Sequence, residues 1–275
     1  MSSANASGEP VFADERLARI FELVLARGRV RNSELTSLFA VTETTIRKDL
    51  TTLQAQGLLK RLHGGAIAIT PLVERELNDR MVSERQAKEV IARLCVAELS
   101  EGDAIFLDSG TTTQFIANLL ASKPAGSFPA HLTVLTNSIG VAQVVANVPT
   151  FEHVLLGGHV RTIGGSVVGS LAIENLERFT VNIAFIGGSG LSDIGLTAAD
   201  LEEARVKAAV IERARSVVAP LDHTKLGATH FARVCDLRSL NAVITDRANR
   251  EIRALCADHG VRLVEAPSEP DENTN

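Results

Sequence analysis

Tryptophan and tyrosine are absent from this 275-residue chain, and cysteine occurs only three times. Without those rings the usual base-stacking platforms of single-strand binders are missing, which disfavours RNA recognition by aromatic stacking. Cys95, Cys235 and Cys256 are isolated and odd in number, so neither a disulfide framework nor a zinc cluster is expected. A reducing cytoplasm fits that usage. No apolar run is long enough to cross a bilayer, so no membrane association is expected. The first residues lack a basic n-region and an apolar h-region, and are expected to form a disordered tail and not a signal peptide. No Gly-Lys-Thr/Ser of a P-loop occurs, and after Gly188 and Gly190 the third glycine of a dinucleotide loop would fall at Asp193. NAD- or ATP-dependent chemistry is thereby disfavoured, and no cofactor is expected.

What is present is apolar content ample for a packed core and length for more than one domain. The net charge of −5 does not announce a nucleic-acid binder, but it is unevenly spread. Residues 13–70 hold nine Lys/Arg against six Asp/Glu, or +3, which leaves 19 against 27, or −8, for the remainder. A small basic segment on an acidic body is the asymmetry expected when one end meets DNA.

Within the basic segment, Ile46, Leu50 and Leu53 recur at helical spacing, with Thr42 as N-cap and Gly57 as a stop. Thr44, Thr45, Arg47 and Lys48 lie largely off that apolar face, as hydroxyls and cations able to reach phosphates and base edges. An earlier amphipathic helix over 14–27 carries Leu17, Ile20, Phe21 and Val24 and ends at Gly28. Asn32 or Ser33 can cap a second short helix with Leu35, Leu38 and Phe39. The spacing is that of a helix-turn-helix. Residues 58–67 then flank a Gly64-Gly65 turn with apolar segments, which predicts a β-hairpin wing with Lys60, Arg61 and His63 beside its tip. Asp49 would repel phosphates from a DNA-facing helix, so an internal bond to Arg47, Arg61 or a helix end is expected of it.

Arg16, the run Thr44-Thr45-Ile46-Arg47-Lys48-Asp49-Leu50, Leu53, Gly57 and the run Arg61-Leu62-His63-Gly64-Gly65-Ala66 resemble the N-terminal domain of the DeoR family of bacterial transcriptional repressors. The polar tail before the first helix is longer than in many members.

Beyond Pro71, residues 71–80 read as a charge-rich connector, and from about Met81 short apolar strands alternate with amphipathic helices. Strands are predicted at 104–107, 132–135, 154–156, 183–186, 216–219, 241–245 and 261–264. Helices are predicted at 87–99, 114–120, 139–147, 198–214 and 247–257. This is an α/β pattern, a doubly wound and largely parallel sheet covered on both faces, in which ligands bind beyond the carboxyl ends of strands. Three such ends are rich in glycine and hydroxyls: Asp108-Ser109-Gly110-Thr111-Thr112-Thr113, Thr136-Asn137-Ser138, and Gly187-Gly188-Ser189-Gly190. Any one could be an ordinary tight turn. Three together point to a phosphate-bearing small molecule, because close backbone, hydroxyls and helix N-termini favour an anion.

These loops, with Gly157-Gly158 and Arg161, the run Glu203-Ala204-Arg205-Val206-Lys207, and Asp222-His223-Thr224-Lys225-Leu226-Gly227, resemble the DeoR-type sensor domain, which is similar in fold to ribose-5-phosphate isomerase and takes phosphorylated sugars as effectors. The resemblance implies phosphate on the Gly110–Thr113 loop, Asp108 facing sugar hydroxyls and Lys225 supplying a cation. Arg161 and Lys207 are weaker candidates, since a lysine on a helix is more often solvated. His223 and His230 near Asp222 are too loosely spaced for a metal site. The expected organisation is a tail (1–12), a winged helix-turn-helix (13–70), a linker (71–80), a sensor domain (81–265) and a tail (266–275). The expected function is a cytoplasmic, homodimeric or homotetrameric repressor of a sugar-catabolism operon that binds double-stranded operator DNA and answers to a phosphorylated sugar. Two other assignments fit parts of the pattern. One is a sugar-phosphate isomerase, with Asp108 and Lys225 as base and cation. The other is a DNA-binding module whose larger domain only oligomerises.

Overall fold

The computed structural model describes residues 13–27, 29–55, 59–62, 64–68, 81–122, 129–162 and 164–267. Gly28, Gly57, Leu58, His63, the connector 71–80 and residues 1–12 and 268–275 lie outside the described residues, and with them the roles expected there. The chain divides into two compact units, 1–71 and 72–275.

The first unit contains α1 (Ala13–Arg27), β1 (Arg29–Arg31), α2 (Asn32–Phe39), α3 (Glu43–Ala55), β2 (Leu59–Leu62) and β3 (Gly65–Ala68). Its core is formed by Ile20, Val24, Leu35, Phe39, Ile46, Leu50, Leu53 and Leu59, one stripe from each helix together with the wing. Burying each of the larger side chains contributes roughly 1.5–3 kcal/mol. The wing has a third strand that periodicity did not reveal. β1 pairs antiparallel with β3, which lies between β1 and β2. Gly65 makes that pairing possible, since a Cβ there would stand 2.1 Å from the Val30 carbonyl oxygen. Helix α2 begins at Asn32 itself and not after it. Glu34 accepts from the Arg31 N–H at 3.2 Å, so neither Asn32 nor Ser33 is the cap.

The second unit is built on seven parallel strands: β4 (Ala104–Leu107), β5 (Thr133–Thr136), β6 (Glu152–Leu155), β9 (Val181–Phe185), β12 (Ala214–Pro220), β14 (Ala242–Thr245) and β15 (Arg262–Glu265). Their order is β15-β14-β12-β9-β4-β5-β6. Helices α4 (Arg85–Val96), α5 (Thr111–Ser122) and α6 (Ile139–Val145) pack on one face with Ile105, Leu107, Phe185, Val218 and Ile244. Helices α7 (Ser170–Leu176), α8 (Leu201–Ile211) and α9 (Arg250–His259) pack on the other with Phe106, Ala184, Val217, Ala219 and Val243. Neighbours along the inner strands β4, β9, β12 and β14 thus go to opposite cores, which is why these strands read as apolar runs.

Several elements of this unit escaped the sequence pattern. They are α7, the hairpin β7 (His159–Val160) and β8 (Val167–Val168), and a three-stranded antiparallel sheet of β10 (Gly190–Ser192), β11 (Gly195–Ala198) and β13 (Ala232–Cys235). Strands of only two to four residues carry too few alternations to register.

Candidate functional site

In the first unit, the Thr42 hydroxyl accepts from the Thr45 N–H at 3.2 Å and starts α3. Ile46, Asp49, Leu50 and Leu53 face inward, while Thr44, Arg47 and Lys48 are exposed and Thr45 is half-buried. On β2, Lys60 and Arg61 are exposed. Arg61 is tied to α3 through Nη1 to Thr51 Oγ1 at 2.6 Å and its N–H to Gln54 Oε1 at 3.0 Å. Asp49 pairs with none of its expected partners. It accepts from Arg16 Nε at 2.7 Å and Nη2 at 3.2 Å, and both residues are buried. Its position three residues after Ile46 puts it on the packed face of the helix, where Arg16 of α1 meets it. The pair fixes the exposed cations of α3 on one side of the unit.

In the second unit, the loops after the adjacent strands β4 and β9 open on a cleft of about 650 Å³, counting its open mouth. Ser109, Gly110, Thr111, Thr112 and Thr113 line it from β4 and the first turn of α5, and Gly187, Gly188 and Ser189 line it from β9. Thr113 Oγ1 caps the turn by donating to the Asp108 and Gly110 carbonyls at 2.6 and 2.9 Å. The amide N–H groups of that first turn have no helical acceptor, so this wall offers donors and the positive end of a helix dipole. Three lysines also line it, Lys88, Lys207 and Lys225, and the Lys88 ammonium donates to the Ser83 carbonyl. Glu203 and Asp222 supply carboxylates and Thr224 a hydroxyl.

Other residues expected at the site stand elsewhere. Asp108 is fully buried beneath the cleft, and its Oδ2 accepts from the Gly187 N–H at 2.9 Å and from Lys207 Nζ. Burial pushes the Asp108 carboxyl up, against the opposing pull of Lys207. Its carboxylate is engaged there, joining β4, β9 and α8, while Lys207 is the partner that reaches the cleft. Thr136, Asn137 and Ser138 do not line it either, because β5 lies one strand further out. Thr136 Oγ1 donates to the Leu107 carbonyl at 2.6 Å, Asn137 Oδ1 accepts from the Ser109 N–H at 3.0 Å, and Ser138 caps α6. They hold the β4 loop in place. Gly190 belongs to β10, where a Cβ would stand 2.3 Å from the Ala228 carbonyl oxygen. Arg161 does not line the cleft, but it pairs with Glu203, which does, and with Asp200 at 3.0 Å. His223 is held by Asp246 at 2.7 Å and Arg247 at 2.8 Å.

Lys88, Lys207, Ser189, Glu203 and Asp222 were missed or undervalued as lining residues. One signal was available for the two lysines. Each stands at helical spacing on the apolar side of its helix, Lys88 beside Ala87 and one turn before Ile91, and Lys207 beside Val206 and one turn before Val210. Both are buried, 4% and 3% exposed.

Known proteins match the whole of this arrangement. Residues 16–71 match the DeoR-like helix-turn-helix domain and residues 83–247 the DeoR C terminal sensor domain. The HTH-type transcriptional repressor GlcR of Bacillus subtilis (strain 168) is 33% identical over 258 residues, covering 92% of this chain and 96% of that protein. The glycerol-3-phosphate regulon repressor of Escherichia coli (strain K12) is 32% identical over 246 residues, covering 89% and 95%. Among solved structures, ribose 5-phosphate isomerase A of Methanocaldococcus jannaschii matches at a TM-score of 0.38 and 17% identity, over 52% of this chain and 55% of that one. That likeness is too slight to bear on function, whereas these two relatives, spanning nearly the full length, are named as repressors. The chain belongs to the DeoR family of DNA-binding transcriptional regulators.

Proposed function

We propose that this regulator represses a sugar-catabolism operon in the cytoplasm and that a phosphorylated sugar in the cleft of the second unit controls its hold on the operator. The observation that carries this is that Lys88, Lys207 and Lys225 line the same cleft as the first turn of α5. Three cations and a helix N-terminus suit a dianionic phosphate, and Glu203, Asp222 and the loop hydroxyls suit a sugar's hydroxyl groups. The names of the relatives support the same ligand class. One is a glycerol-3-phosphate regulon repressor, and another, from Staphylococcus epidermidis and 30% identical, is a lactose phosphotransferase system repressor.

On the DNA side, Thr44, Thr45, Arg47 and Lys48 would reach into the major groove, with Lys60, Arg61 and His63 on the backbone or in the minor groove. Recognition helices of this kind work in pairs, so a homodimer or homotetramer reading repeated half-sites follows. A coupling of roughly 1–3 kcal/mol between sugar and operator, about 5–150-fold in affinity, suffices to switch a promoter.

The test is a gel-shift titration on DNA upstream of the protein's own gene, repeated with a panel of sugar phosphates and their unphosphorylated counterparts. Binding should weaken steeply with salt. One phosphorylated sugar should change the affinity while its unphosphorylated form does not. The same ligand at about 100 times its dissociation constant should add roughly 2.7 kcal/mol of stability. Absence of salt-sensitive binding to any fragment sinks the proposal. Operator binding that no sugar phosphate alters reduces the second unit to an oligomerisation domain.

A further inference from the structure

Glu43 is the first residue of α3, the end of the recognition helix that meets base edges in this type of motif. A carboxylate there is a liability, because it repels the phosphates that flank every base pair. The helix dipole offsets part of that cost by favouring an acid in the first turn. The dipole, however, asks for no particular orientation, and this carboxylate is held in one from two sides. Asn32 Nδ2, at the start of α2, reaches Glu43 Oε1 at 3.4 Å. Arg47 donates to the same oxygen from Nε at 3.1 Å and from Nη2 at 2.8 Å. Among the described residues none donates to Oε2. Both side chains are open to solvent, 61% for Arg47 and 54% for Glu43. The Asn32 amide, and after it the Arg47 guanidinium, hold the carboxyl below its usual range, so it is ionised at neutral pH.

An oriented acceptor with one oxygen unclaimed, next to an oriented guanidinium, matches one feature of the major groove. Cytosine presents an N4 amino donor there, and guanine presents its O6 and N7 acceptors. We propose that Glu43 is a specificity-determining residue that accepts from the N4–H of a cytosine beside a guanine read by Arg47. This assignment rests on the DNA-binding role proposed above for α3. Sites that place a guanine or thymine acceptor against Glu43 are rejected, because Oε2 would be desolvated without a donor.

Selection of full-length protein against randomised duplexes at fixed salt tests this with three chains: the wild type, Glu43→Ala and Glu43→Gln. Glu43→Ala should lose its preference for cytosine at one base pair per half-site by about fivefold or more, with the other positions intact. Glu43→Gln should move that position toward adenine, whose N6/N7 edge a glutamine amide matches. A helix-stabilising role alone would produce neither shift, and unchanged thermal melting of both variants excludes misfolding as the cause. Identical base preferences in all three chains overturn the assignment. So does a uniform gain of affinity on every sequence when the charge is removed, which would make Glu43 a source of repulsion only. A wild type that binds no duplex in a salt-dependent way overturns the DNA-binding role itself, and this assignment with it.

Discussion

Asp108 and Lys207 are 99 positions apart in the chain and meet as an ion pair whose side chains are 0% and 4% exposed. The pair bolts the floor of the cleft to α8, and the Gly187 N–H shares the same carboxylate oxygen. Removing one partner of such a pair strands the other charge in the interior. Lys207→Met should therefore destabilise the protein by about 3–5 kcal/mol in denaturant melts. Adding Asp108→Leu to it should recover part of that loss, since the stranded carboxylate is gone. A single variant as stable as the wild type would show that the two groups do not depend on each other.

Arg47 is an exposed cation of α3, parked on Glu43. Arg47→Ala should weaken operator binding by at least about 1 kcal/mol and relax preference at one base pair. Competition binding against single-base operator variants measures both effects. A loss of equal size on every sequence would make Arg47 a phosphate contact.

Thr112 lines the cleft in the first turn of α5. Thr112→Glu places a negative charge where the effector's phosphate is proposed to sit. Operator affinity in a gel shift should be retained while the response to sugar phosphate disappears. Undiminished release by the effector would move the anion site elsewhere.

Glu265 on β15 accepts from Arg253 Nε and Nη2, both at 2.8 Å, and from the Ala248 N–H at 2.8 Å. Arg253 first, and then the Ala248 N–H, hold the carboxyl below its ordinary value of 4.5, against partial burial. A depressed value in the folded state means that the carboxylate contributes stability above pH 4.5, and that this is lost as the pH falls through the folded value. Glu265→Gln should therefore be less stable than the wild type at neutral pH, with the gap closing on acidification. Urea melts at both ends of that range decide it, and a gap independent of pH would show that the charge is irrelevant.

The sequence alone revealed what repeats or punctuates. The Ile46, Leu50 and Leu53 stripe located α3, and the Gly64-Gly65 turn located the wing, because each rests on local spacing. Asp108 to Thr113 drew notice as a loop whose composition is unlike its surroundings, and five of its residues line the cleft. What stayed hidden depends on partners distant in the chain. Asp49 needed α1 to supply Arg16, 33 positions away, before its role could be read. Thr136 to Ser138 looked like a second phosphate loop, since hydroxyls that brace a neighbouring loop are the same residues as hydroxyls that bind a ligand. Lys207 looked solvated because helical spacing does not report what a neighbouring strand will cover. Its neighbours Val206 and Val210 gave the one local hint that this side of α8 faces inward.

The middle of the parallel sheet joins Ile105 to Ile183, and Val217 to Ala184. The core of the first unit, by contrast, is complete by Ala66. During synthesis the winged domain therefore has every partner it needs while the centre of the larger sheet still awaits strands the ribosome has not delivered, since closing such distant pairs is the slow step. Limited proteolysis of ribosome-stalled chains ending near residue 150 should leave the amino-terminal fragment protected and the rest cleaved. For that interval each nascent chain carries a folded winged domain ahead of a sheet that cannot yet close, and therefore ahead of any cleft.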